Sequence, residues 1–117
     1  MRPSAPLSEA HRNFLAPYEA VRAALAADDL AAAKEAAAAI SGDAANATAK
    51  ADSLPVAREA FRALSRQALE IARGQPGYYQ AHCPMVPANQ GNWVQTTKII
   101  SNPYFGKSMA KCGTIRD

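Results

Sequence analysis

Five side chains able to ligate a soft metal ion fall within 31 residues of sequence: His82, Cys83 and Met85 in one segment, Met109 and Cys112 in another. What the region lacks narrows the chemistry. No carboxylate stands between Glu70 and Asp117, so the oxygen-rich shell that calcium or magnesium requires has no source there. Thioethers are poor ligands for zinc and good ones for cuprous ion, so a site using both methionines selects Cu(I), with Ag(I) as its chemical mimic. A site using only His82, Cys83 and Cys112 leaves a fourth position for water and suits Zn(II), the less favoured reading.

Spacing brings the donors together within each arm. In extended backbone residues i and i+2 point the same way, so Cys83 and Met85 can face one ion, with Pro84 stiffening the link. In a helical turn i and i+3 share a face, which does the same for Met109 and Cys112. Gly113 then lets the chain turn away. The metal set read from the sequence is therefore Cys83, Met85, Met109 and Cys112. His82 is a further ligand, a hydrogen-bond partner of a ligand, or an exposed side chain. Trp93, the one tryptophan, is a core plug with its N–H satisfied, or a ring that shields the ion.

Other outcomes are open to the same residues. A Cys83–Cys112 disulfide would contribute roughly 3–4 kcal/mol through loop entropy, free thiols are a third outcome, and methionines commonly serve as core filler. Catalysis finds no support, because no nucleophile and base stand together and neither cysteine begins a C-x-x-C at a helix start. No enzymatic activity is expected.

Composition bounds the partners. The chain has 117 residues and a formal charge of +3. Residues 1–73 carry nine basic and nine acidic side chains, whereas residues 74–116 carry only Lys98, Lys107, Lys111 and Arg116. Four spread cations fall short of the basic stripe of a nucleic-acid binder. No run of about 18 or more apolar residues exists, so no membrane span is expected. The opening MRPSAPLSEA lacks the apolar region of a signal peptide, which fits a cytosolic protein or an exported one trimmed of its leader.

The elements that must position the sulfur atoms follow from periodicity. Phe14, Tyr18, Val21 and Leu25 share one helical face, with Pro17 predicting a kink near 13–17 or a start close to Pro17. Asp28 or Asp29 caps a second helix from about Leu30, striped by Ala33, Ala37 and Ile40, with Gly42 as its stop. A short helix over 44–50 is weakly signalled. Ser53, Pro55 and Gly74 bound the strongest helix, whose stripe is Leu54, Ala57, Phe61, Leu64, Ala68 and Ile71. Arg58, Arg62, Arg66 and Arg73 lie off that stripe and read as a solvated face. Beyond Gly74 turn residues crowd the chain, WVQTTKII is β-prone and NPYFG is a turn. The expected fold is a single mainly-α domain: an antiparallel three- to four-helix bundle over residues 1–73, with a C-terminal cap of short strands and turns over 74–117 carrying the site.

The string YYQAHCPMVPANQGNWVQTTKIISNPYFGKSMAKCG resembles a bacterial domain of unknown function marked by CPM, a Trp after a Gly-containing loop, NPY-x-G and M-x-x-CG. AREAFRALS resembles the helix preceding that motif and AALAADDLAAAKEAA its first hairpin, so the resemblance covers the chain from about residue 14 to the end. The family occurs alone in exported proteins and appended to the membrane-fusion adaptors of heavy-metal efflux systems, and is associated with copper. The resemblance implies candidate ligands at Cys83, Met85, Met109 and Cys112, export to the periplasm with the leader removed, and a partner that is an efflux adaptor or a copper-protein maturation factor. The protein itself is expected to be a monomer or weak dimer.

Overall fold

The computed structural model describes residues 7–87 and 90–116. Helix α1 spans Glu9–Ala26, opened by Ser8, whose hydroxyl accepts from the His11 N–H, and by Glu9 in the first turn. Both oppose the positive end of the helix. The helix runs through Pro17, so it does not start there as one reading allowed. Leu15, Tyr18, Val21 and Leu25 are buried, while Phe14 is only half-buried.

Asp29 caps α2 (Leu30–Ala37) by accepting from the Ala32 N–H. The α2 stripe of Ala33 and Ala37 is fully buried, and such small side chains let α1 and α2 approach closely. Ile40 is buried in the turn that follows rather than on the helix. Gly42, at φ 114, opens α3 (Asp43–Ala49) instead of merely ending α2, a backbone conformation that favours glycine. Helix α4 spans Leu54–Ala72, with Ser53 accepting from the Val56 N–H and Pro55 in the first turn. Ala57, Phe61, Leu64 and Ala68 of the expected stripe are buried; Leu54 and Ile71 are half-buried.

Three short strands follow: β1 (Tyr79–His82), β2 (Asn92–Gln95) and β3 (Thr114–Arg116). They form an antiparallel sheet of order β2-β1-β3. The register pairs Ala81 with Trp93 on one side and with Ile115 on the other.

This corrects the expected fold class. The described residues form an α-rich fold with a three-stranded antiparallel sheet at the C-terminal side, not an antiparallel three- to four-helix bundle with a cap of short strands and turns folded onto it. Helices α2 and α3 have only 8 and 7 residues, too short to run alongside the 18 and 19 residues of α1 and α4. Ala81, Cys83, Trp93 and Val94 also belong to the same buried cluster as Leu15, Leu25 and Phe61. The sheet shares the core because its β2 edge is inserted against the helices. Antiparallel pairing with β1 turns the Asn92 and Val94 backbone groups outward. There Tyr18 bonds both the N–H and the C=O of Val94, and the Ser65 and Tyr104 hydroxyls donate to the Asn92 carbonyl. Side-chain hydroxyls thus take the place of a missing strand.

No helix among the described residues is long and apolar enough to cross a membrane.

Candidate functional site

Cys83 leaves the end of β1 and Cys112 precedes β3, so the β1–β3 pairing brings both to one end of the sheet. They are joined as a disulfide, with a Cα–Cα distance of 5.6 Å across a sequence separation of 29. The pair is held from both sides by residues chosen for that place.

On the first arm, the Cys83 N–H donates to the Gly91 carbonyl at 2.8 Å. A Cβ at Gly91 would overlap the Cys83 carbonyl oxygen and crowd Val86, so the loop closes only with glycine there. On the second arm, buried Asn102 is the anchor. Its Oδ1 accepts from the Tyr104 and Phe105 N–H groups at 2.7 and 3.1 Å, and its Nδ2 donates to the Cys112 carbonyl at 2.9 Å. Its own N–H donates to the Ala110 carbonyl at 2.9 Å. The NPYFG segment is therefore the device that fixes Cys112, a role its reading as a simple turn missed.

Trp93 of β2 stands opposite Ala81 of β1, with its ring against Gly113, the residue after Cys112. Its Nε1–H donates to Gln95 Oε1 at 2.9 Å, and its ring meets Tyr104 edge-on with centroids 6.1 Å apart. A Cβ on Gly113, which has φ 136, would sit 3.0 Å from Trp93 Cη2 and 2.9 Å from the His82 carbonyl oxygen. Glycine after Cys112 is thus required by close approach as well as by backbone conformation. Trp93 is fully buried, which matches the core-plug reading.

The methionines are placed differently. Cys83 and Met85 do not lie in extended backbone: residues 84 and 85 form a turn, closed by the Val86 N–H donating to the Cys83 carbonyl. Cys83 is 0% exposed and Met85 60% exposed, so the C-x-M arm sends one sulfur inward and the other to solvent. Met109 ends a 3-10 turn over Gly106–Met109, and the Cys112 N–H donates to its carbonyl at 3.0 Å. That is the helical turn expected for this arm. Met109 is 38% exposed. The structure brings the cysteines together and leaves one thioether at the surface on each arm.

His82 is buried, its Nδ1 2.8 Å from Asn92 Oδ1, the residue opposite it on β2. Of its roles, the exposed one is ruled out, and the Nδ1 edge is occupied by the carboxamide. Among the described residues no group of three or more His, Cys, Asp or Glu side chains is gathered to hold a metal ion. As a disulfide the two sulfurs cannot act as thiolates, so any soft-metal chemistry at this place requires the reduced pair.

One functional-looking residue was misread from its spacing. Arg58 is not part of a solvated face. Its Nε donates to the Pro103 carbonyl at 2.8 Å and its Nη2 to the Leu25 carbonyl and to Asp28 Oδ1, each at 2.7 Å. It ties the α1 end to the NPYFG segment and so to Cys112. The Arg58 hydrogen bond holds the Asp28 carboxyl below its usual range. The one local signal is its place directly beside Ala57 of the apolar stripe.

The comparisons with family models, with curated proteins and with solved structures give no match to this chain.

Proposed function

We propose that this chain is a periplasmic copper-binding protein of the exported, CPM-containing family it resembles, and that it sequesters or hands on Cu(I) through Cys83 and Cys112 in their reduced form. The observation that carries the reading is the meeting of two cysteines from distant segments, 5.6 Å apart at Cα, with an exposed thioether three residues or fewer from each along the chain. Two thiolates give affinity for a monovalent soft ion, and Met85 and Met109 at the surface offer exchangeable first and last contacts for an ion passing to or from another protein. The partner on this reading is an efflux adaptor or a copper-protein maturation factor. The disulfide makes loading depend on reduction.

The disulfide itself favours a second reading, in which Cys83–Cys112 is a permanent staple and the domain docks onto an efflux or maturation partner without carrying metal. Anaerobic Cu(I) titration against a competing chelator separates the two. It is run on reduced and oxidised protein and on the Cys83→Ser, Cys112→Ser, Met85→Leu and Met109→Leu variants. The copper reading expects stoichiometric binding only after reduction, abolished by either serine and weakened by either leucine. Equal binding by wild type and both serine variants, or none by the reduced wild type, leaves the staple reading in place.

A further inference from the structure

A cavity of about 790 Å³ opens between the end of α4 and the sheet, away from the sulfur pair. Leu69 and Ala72 of α4, Val94 of β2 and Ile115 of β3 give it an apolar floor. Tyr78 and Tyr79, half-buried, add two aromatic rings. The rim carries Arg73, Lys98 and Arg116, all exposed and each from a different part of the fold.

Two of these cations stand on either side of the start of β1. The Lys98 ammonium stands 5.8 Å over the Tyr79 ring at the start of β1, and Arg116 is in register with the next residue, Gln80. The described lining contains no carboxylate. The ion pairs among the described residues engage Arg22, Arg58 and Arg62 instead. Arg73 has a structural account, since a cation at a helix C-terminus complements the dipole. Lys98 has only its contact with the Tyr79 ring, and Arg116 has no such account.

An apolar floor with positive charge on its rim and no carboxylate among its described lining matches a ligand divided in the same way. The volume falls within the range of pockets that enclose small organic molecules, roughly 300–1,000 Å³. A nucleic acid would call for a longer basic track and no apolar floor. We infer that this cavity binds an amphiphilic carboxylate, its chain or ring against Leu69, Val94 and Ile115 and its carboxylate toward Lys98 and Arg116. The inference stands independently of the metal reading.

The shared chemistry has two sources, an aliphatic acyl chain and an aromatic acid, and the test carries an arm for each. Laurate and indole-3-propionate are titrated separately into the isotope-labelled protein below laurate's micelle threshold, with dodecanol as the neutral control. Saturable shifts confined to the amides around Tyr79, Gln80, Ile115 and Arg116 are expected for at least one acid, and the tighter acid identifies the source. The Lys98→Glu/Arg116→Glu variant should bind that acid about tenfold more weakly, as expected for replacing a charge-assisted contact by a repulsive one. It should keep the wild-type melting temperature because both residues are exposed. Leu69→Trp, which fills the floor, should abolish binding and serves as the second variant should the charge reversal fail to fold. Binding of dodecanol as tight as laurate, shifts located elsewhere, undiminished binding by both variants, or no saturable shift with either acid overturns the assignment.

Discussion

The Tyr18 hydroxyl makes two hydrogen bonds to a single residue 76 positions away: it donates to the Val94 carbonyl at 2.8 Å and accepts from the Val94 N–H at 2.9 Å. One phenol thereby satisfies both outward backbone groups of an edge strand in a site closed to water. The ring is held independently, stacked with Phe61 at 5.4 Å and Phe14 at 6.1 Å. Tyr18→Phe keeps that packing and strands two buried polar groups. Its expected cost is about 2–4 kcal/mol, read as a lower urea midpoint with an unchanged slope.

Burial has a second consequence for the same residue. Desolvation pushes the Tyr18 hydroxyl up from the ordinary tyrosine value and pushes Tyr104 up to about 12. In the unfolded chain both ionise near 10. Above that pH the unfolded state has released protons that the native state still holds, so stability falls as pH rises, by up to about 1.4 kcal/mol per pH unit for each group. The decline should run from about pH 10, with the Tyr104 share complete near 12. Urea midpoints measured across that window should fall more steeply for wild type than for Tyr18→Phe/Tyr104→Phe. Parallel curves would remove both tyrosines from the account.

Much of this architecture can be read from residue order, and the failures have definite causes. Caps at Ser53 and Asp29, the alanine face of α2 and the α4 stripe are local, repeated signals, and each is where periodicity puts it. The run WVQTTKII reads as β-prone, but only Trp93, Val94 and Gln95 of it belong to a strand, and all three are buried. A strand covered on both faces shows no alternation to distinguish it from a loop segment. The approach of the two cysteines was readable as a set of outcomes, but which one holds depends on the β1–β3 pairing, a long-range contact that spacing does not encode. The divergence of Cys83 and Met85 depends on one turn hydrogen bond, from the Val86 N–H to the Cys83 carbonyl, which an i, i+2 rule for extended backbone overlooks.

Arg58 gives a prediction about geometry as distinct from charge. Its three contacts diverge from two nitrogens of one planar group, a fork that an ammonium cannot reproduce. Arg58→Lys should therefore lose about 1.5–3 kcal/mol, close to the effect of Arg58→Met. Gly106→Ala should act on the same joint from the opposite side. A Cβ there would overlap the Asp28 carboxylate and the Arg58 guanidinium, and its φ of 60 already favours glycine. Because Arg58 and Gly106 share one contact, the double variant should cost less than the sum of the single ones. Additive melting-temperature losses would show that the two act separately.

The sulfur residues should divide cleanly by stability. Reducing the Cys83–Cys112 bridge frees a loop spanning 29 positions, which by chain entropy should cost about 3–4 kcal/mol. Asn102 and Gly91 continue to hold the two arms by hydrogen bonds that do not involve sulfur, so the reduced protein should stay folded at 25 °C with a lower urea midpoint. Met85→Leu, at a side chain 60% exposed, should leave that midpoint within about 0.5 kcal/mol of wild type in either redox state. The same holds for Met109→Leu. This separation is what allows copper binding to be interpreted: a leucine variant that weakens Cu(I) without moving the midpoint has lost a donor, not a fold. If Cu(I) bound to the reduced protein restores the midpoint lost with the disulfide, and does so less fully in the leucine variants, the ion occupies the place of the bridge. A midpoint that stays low under saturating Cu(I) would put the ion elsewhere on the molecule.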